Sequence, residues 1–179
     1  MTSKLFKAIH LKAANTMNNG EIKSIIEKLE ASPDFTEWKK DHPEFYLTHA
    51  IIILGDPEEY WQIGYYSKDL DKIVSFTIKD EIEIAPESDV FKQDKGIEEL
   101  KMDSVDVEFK DAVEKAKDFQ KNKYPAMSPL KQIVLLQHLN VGQIWNITYV
   151  TASFNTLNIK IHAKKGKILE DKIITLVQK

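Results

Sequence analysis

The chain contains no cysteine, which excludes disulfides, thiolate metal sites and cysteine nucleophiles. It contains no arginine either, since all 25 basic side chains are lysine. Bidentate guanidinium clamps on phosphate or carboxylate and arginine fingers are therefore excluded as well. With only 6 glycines, the chain offers no Gly-rich phosphate loop, and it has no nucleophile elbow or paired His-carboxylate spacing. No apolar run approaches the roughly 18 residues a membrane-spanning helix needs. The start, Met1 to His10, mixes polar and apolar residues and lacks the apolar core of a secretory signal. Leu5, Phe6, Ile9 and Ala13 suit one face of a helix instead. The sequence as written reads as cytoplasmic; removal of a leader or anchor from an extracellular protein would leave the same pattern.

What remains is the composition of a folded protein. Of 179 residues, 42% are apolar and 30% charged, enough for one ordinary domain or two small ones. A net charge of −3 makes the whole molecule no magnet for nucleic acid or anionic membrane. The charge is uneven: residues 1–90 carry 10 lysines against 17 carboxylates, and residues 91–179 carry 15 against 11. Solvated lysine-rich strands account for that asymmetry, and so would two halves that attract each other or two surfaces with different partners.

Periodicity predicts helix and strand in alternating blocks. Ile22, Ile25, Ile26 and Leu29 fall at i, i+3, i+4 and i+7, the stripe of a helix over Glu21–Glu30. Ser32-Pro33 ends it and opens a short second helix, with Phe35 and Trp38 facing inward. Strands are then expected over Phe45–Leu54, around Trp61-x-Ile63-x-Tyr65, over Ile73–Ile78 and briefly over Glu81–Ile84. A polar, charge-rich stretch from Ala85 to Asp106 reads as a linker. Beyond it Phe109, Ala112, Val113, Ala116 and Phe119 mark an amphipathic helix opened by Ser104 or Asp106. Strands follow over Lys131–Leu139, Ile144–Thr151, Thr156–Ala163 and Ile168–Thr175, the last two joined by a loop that holds Gly166.

The blocks repeat. Sliding the chain by 84 residues sets Ala50-Ile51-Ile52 on Val134-Leu135-Leu136 and Trp61 on Trp145 without a gap. Trp61, Ile63 and Tyr65 then coincide with Trp145, Ile147 and Tyr149, two of only 3 tryptophans in matching strands. The expected architecture is α+β: two repeated αβββ(β) units, each a helix packed on an antiparallel meander. Residues 1–84 would form the first with its N-terminal helix, 85–106 the linker and 107–179 the second.

The second half also carries a family pattern. Its helix ends in Lys123-Tyr124-Pro125, Trp145-x-Ile147-x-Tyr149 follows, and Ile159-Lys-Ile-His-Ala163-Lys-Lys-Gly166-Lys-Ile-Leu169 closes it. Over about residues 105–175 this resembles the PepSY domain, with a cystatin-like arrangement of helix and sheet. His162 stands where that family commonly has aspartate and Lys165 where it commonly has threonine; in the first half the pattern is weaker. The resemblance implies a non-catalytic module of secreted or membrane-tethered proteins, similar to the propeptides of thermolysin-like proteases. Such a module binds a protein or peptide and is thought to restrain a peptidase.

His10, His42, His49, His138 and His162 show no ligand spacing, and His49 and His138 do not coincide under the 84-residue shift. The acidic turns at Asp56-Pro57-Glu58-Glu59 and Asp69-Leu70-Asp71 cap opposite ends of one expected strand, about 26 Å apart. Asp80, Glu81 and Glu83 return to the Asp56 end, where solvated turns are expected and a weak calcium site is the alternative. No metal, cofactor or catalytic residue is assigned. With Trp61, Ile63, Tyr65, Trp145, Ile147 and Tyr149 in the core and Gly166 in its turn, period 2 puts Asn146, Thr148, Lys160 and His162 on the outer face. Base-stacking aromatics would have to lie on that face, so nucleic acid is disfavoured. The expected function is a non-catalytic protein- or peptide-binding module. The alternatives are a small-ligand or lipid sensor with its pocket between helix and sheet, and thirdly an enzyme. A homodimer is compatible with each.

Overall fold

A computed structural model describes residues 21–90, 96–152 and 155–175. The helix expected around Leu5 and Ile9 lies outside them. Among the described residues there are three α-helices, α1 (Ile22–Glu30), α2 (Pro33–Asp41) and α3 (Phe109–Lys123). The strands are β1 (Tyr46–Leu54), β2 (Trp61–Ser67), β3 (Lys72–Ile78), β4 (Ile82–Ile84) and β5 (Ser88–Asp89). After them come β6 (Pro129–Leu139), β7 (Gly142–Thr151), β8 (Asn155–His162) and β9 (Ile168–Thr175). The α+β class holds, and the nine strands form one antiparallel sheet ordered β4-β3-β2-β1-β6-β7-β8-β9, with β5 paired to β3.

The described residues group into two compact units, 21–48 with 60–90 and 96–97, and 49–59 with 98–152 and 155–175. In the first unit, Ile22, Ile25, Ile26 and Leu29 of α1 are at most 3% exposed, which is the stripe that holds this nine-residue helix in place. Helix α2 opens on Ser32, whose Oγ accepts from Phe35 N at 3.2 Å, with Pro33 in its first turn and Lys39 and Lys40 in its last. It delivers Phe35 and Trp38 to an aromatic cluster with Phe45, Tyr65 and Phe76, at centroid distances from 4.9 to 5.9 Å. Trp61, Ile63 and Tyr65 of β2 lie opposite Ile78, Phe76 and Val74 of β3, and all six are buried.

In the second unit Trp145, Ile147 and Tyr149 of β7 lie opposite Ile161, Ile159 and Leu157 of β8, again all buried. Helix α3 packs on β7 and β8 through Ala112, Ala116 and Gln120. The two alanines allow close approach, and the Gln120 amide donates to Tyr124 O at 2.9 Å and Met127 O at 3.0 Å, closing the helix end. The apolar stripe read from the sequence is buried at Ala112 and Ala116, while its Phe109, Val113 and Phe119 are only half-buried. The helix start differs too. Met102–Ser104 forms a 3-10 turn and Glu108 is the N-cap residue, so neither Ser104 nor Asp106 opens α3.

The stretch 85–106 carries structure of its own. Ala85 N donates to Ser75 O at 2.9 Å, β5 pairs with β3, and the Tyr46 hydroxyl donates to Ile97 O at 2.9 Å. Leu100 is 3% exposed in the second unit. Residues 49–59, expected in the first half, group with the second because β1 pairs with β6 from His49–Gln137 to Leu54–Gln132.

Candidate functional site

The outer face of the second unit is built by register. One row across the strands runs Ile51, Leu135, Asn146, Lys160, Glu170, and the next runs Ile53, Ile133, Thr148, Asn158, Lys172. The face is thus apolar on β1 and β6, amide and hydroxyl on β7 and β8, and charged towards β9. Ile53 is 38% exposed, while Ile51, Ile133 and Leu135 are half-buried.

The sequence-predicted residues lie in this face and are already bonded there. Asn158 Nδ2 donates to Asn146 Oδ1 at 2.5 Å and to Thr148 Oγ1 at 2.8 Å, so the three side chains form one short ladder. Lys160 Nζ donates to Glu170 Oε2 at 2.7 Å, and that lysine holds the Glu170 carboxyl below its ordinary range. His162 accepts from Lys164 N through Nδ1 at 3.1 Å, and its backbone carbonyl takes Gly166 N at 2.8 Å. It is the last residue of β8, opposite Ile144 of β7, which shares the face of Asn146 but is fully buried. Asn146, Thr148 and Lys160 are brought together; His162 belongs to the end of the hairpin.

The motif residues of the second half serve the turn and the last strand. Gly166 takes φ +63°, and a Cβ there would stand 3.5 Å from Val107 Cγ2. Asp106 N and Val107 N both donate to Ala163 O, at 3.0 and 2.8 Å, tying the loop before α3 to the hairpin. Lys123 Nζ donates to Asp171 Oδ2 at 2.7 Å and the Tyr124 hydroxyl donates to the same oxygen. Lysine first, then tyrosine, depress the Asp171 carboxyl, and the Tyr124 phenol is raised in return. The end of α3 thereby pins β9.

The remaining polar residues stand apart. His42 stacks on Trp38 with ring centroids 4.8 Å apart, and its Nε2 lies 3.5 Å from Glu87 Oε1. His138 Nδ1 contacts Glu99 O at 2.9 Å, and burial pushes the His49 imidazole towards its neutral form. Asp56 is paired with Lys131, and Glu83 with Lys79 at 2.8 Å, so each carboxylate has a lysine. Among the described residues no group of three His, Asp or Glu side chains is placed to hold a metal ion. A cavity of about 410 Å³ opens beside α3 and is lined by its own side chains, among them Phe109, Val113 and Lys117. It does not lie between that helix and the sheet, where a sensor pocket was expected.

Sequence reasoning missed Ile51, Ile53, Ile133 and Leu135. Each belongs by pattern to a strand within its own half, and nothing local says that β1 and β6 are neighbours.

No family model matches the chain. No curated protein matches it either. Among solved structures it is similar to a putative lipoprotein from Clostridium difficile 630, with a TM-score of 0.53 over 79% of this chain and 90% of that one. At 11% identity the likeness is one of fold. No helix among the described residues is long and apolar enough to cross a membrane.

Proposed function

We propose that the chain is a non-catalytic protein- or peptide-binding module built from two PepSY-like, cystatin-like repeats, and that it takes its partner on the outer face of the second unit. The observation that carries this reading is the pair of rows from Ile51 to Glu170 and from Ile53 to Lys172. An apolar half with Ile53 left 38% exposed adjoins an amide ladder and a charged margin. That is the anatomy of a modest interface, with apolar contacts for affinity and polar groups for orientation. The repeat reading is supported by the 84-residue offset together with the strand order, in which β1, β2, β3 and β4 mirror β6, β7, β8 and β9. The PepSY-like reading is supported by the Tyr124–Asp171 bond and the Gly166 turn, which give its motif residues structural work. The lipoprotein neighbour supports the extracytoplasmic setting that such a module implies over the cytoplasmic reading of the bare sequence.

The test is selection of peptides from a displayed random library on the immobilised full chain. Enriched peptides are expected to bind the wild type at least about tenfold more tightly than Ile53→Lys/Thr148→Lys, a variant altered only on this face. No enrichment, or equal binding to a variant with an unchanged circular dichroism spectrum, sinks the reading. For the narrower peptidase-restraining form, a thermolysin-like peptidase that keeps full activity in excess protein decides against it.

A further inference from the structure

Strand β9 ends the strand order, so its outward backbone groups have no ladder partner among the described residues. It is eight residues long, and Leu169, Ile173 and Ile174 are 39%, 45% and 44% exposed around the charged run Glu170-Asp171-Lys172. An edge of that length and exposure templates pairing with another strand unless its charges forbid it. Here the charges select a register.

Two identical strands paired antiparallel are symmetric about one residue, and residues equidistant from it face each other on the same side of the sheet. Centred on Asp171, Glu170 of each strand opposes Lys172 of the other, and Ile173 comes against Leu169 at the bulge where the β8–β9 register shifts. Centred on Glu170 or on Lys172, like charges meet at the middle and apolar residues meet charges. Centred on Ile173, Lys172 meets Ile174. Only the Asp171 register pairs unlike charge with unlike charge and apolar with apolar. It also sets Asp171 against its own copy, but each carboxylate there is held by its own Lys123 at 2.7 Å and by Tyr124, so a lysine accompanies each negative charge. Glu170 already takes Lys160 at 2.7 Å, and an incoming Lys172 would extend that row.

We propose that β9 pairs with β9 of a second copy of this chain, antiparallel and centred on Asp171, making a homodimer through the sheet edge. The dimer leaves the outer face open, so it goes beyond the peptide-binding reading and stands or falls separately from it.

Sedimentation velocity on the full chain, up to about 200 µM, is the first measurement, and a concentration-dependent dimer is expected. Lys172→Glu should weaken it at least about tenfold, since two like-charge pairs replace two unlike ones. Glu170→Lys/Lys172→Glu restores unlike pairs across the join, and Lys160→Glu added to it restores the pair within each chain; this triple swap should recover the wild-type affinity to within about threefold. Because the chain has no cysteine, Asp171→Cys supplies a single thiol at the symmetry centre, where the Cα separation suits a disulfide. It should cross-link faster than Lys172→Cys. A chain monomeric at the highest concentration, a dimer indifferent to Lys172→Glu, or a swap that fails to restore it overturns the proposal. Faster cross-linking through residue 172 overturns the register.

Discussion

Ile51 on β1 lies directly opposite Leu135 on β6, and the two are 84 positions apart, the offset that also separates Trp61 from Trp145. The neighbouring pairs obey the same rule: Ala50 faces Leu136 and Ile52 faces Val134. Swapping each residue for its counterpart 84 positions away turns one of these pairs into the other. The register of this ladder is therefore symmetric about the Ile51–Leu135 pair. A join of that kind is how two identical edge strands would meet. The same join creates the apolar half of the candidate face, because it sets Ile51 and Ile53 beside Leu135 and Ile133.

Trp145 is fully buried and its Nε1 donates to Val107 O at 2.8 Å, so its removal opens a large cavity and breaks a tie to the loop before α3. Trp145→Ala is expected to lose about 3–5 kcal/mol of stability. Trp145→Phe, which keeps most of the volume but not the donor, should lose about 1–2 kcal/mol. Urea unfolding monitored by circular dichroism checks both, and an unchanged slope shows that stability alone has moved.

Gly55, after β1, takes φ +94°, and a Cβ there would meet Leu130 O at 2.9 Å. Gly55→Ala forces both a left-handed alanine and a clash with backbone, and its melting temperature should fall by about 2–8 °C. Gly96→Ala is the control, since nothing lies within 4 Å of the added methyl. Equal melting temperatures for the two variants would show that the turn relaxes freely.

Asp171 binds Lys123 and Tyr124, which hold its folded-state pKa below the ordinary carboxylate value. A depressed carboxylate contributes stability that is fully present above the unfolded-state pKa and is lost as pH falls through the folded-state value. Wild type should therefore be more stable than Asp171→Asn near neutrality, with the gap closing as pH drops below about 4. Thermal melts between pH 7 and pH 2 measure it; a gap independent of pH would show that the ionised form contributes nothing.

Tyr149 behaves in the opposite sense. Burial pushes its phenol up to about 12, and burial then Glu30 raise that of Tyr65 still further. A raised phenol contributes stability that is complete below the unfolded-state value near 10 and is lost as pH rises towards the folded-state value. Tyr149→Phe should lose less stability than wild type does between about pH 10 and pH 12. Absorbance titration of phenolate at 295 nm, run beside alkaline melts, separates ionisation from unfolding.

Much of the local structure was legible in the chain, for reasons that remain local. Ile22, Ile25, Ile26 and Leu29 recur at helical spacing because one turn returns a side chain to the same face, and Ser32-Pro33 states where α2 begins. Trp61-x-Ile63-x-Tyr65 and Trp145-x-Ile147-x-Tyr149 alternate because a pleated strand buries every second side chain. The face of α3 was less legible. Of its expected stripe Ala112 and Ala116 are buried while Phe109, Val113 and Phe119 are only half-buried, and Gln120 is buried in addition, because small side chains permit closer contact with a sheet already filled by Trp145 and Tyr149. Of the candidate face, Asn146, Thr148 and Lys160 followed from alternation, while Ile51, Ile53, Ile133 and Leu135 did not.

The sequence by itself determined the α+β class, the positions of most strands and the absence of thiol and guanidinium chemistry, since these depend on residue type and on spacings of two to four residues. Tertiary structure alone decided that β1 and β6 are neighbours, that Tyr124 reaches Asp171 across 47 positions of chain, and that polar Asn146 stands beside apolar Leu135. Strand pairing is made by backbone groups that every residue carries. The choice of partner therefore leaves no mark in local pattern, and it appears only once whole strands compete for the same edge.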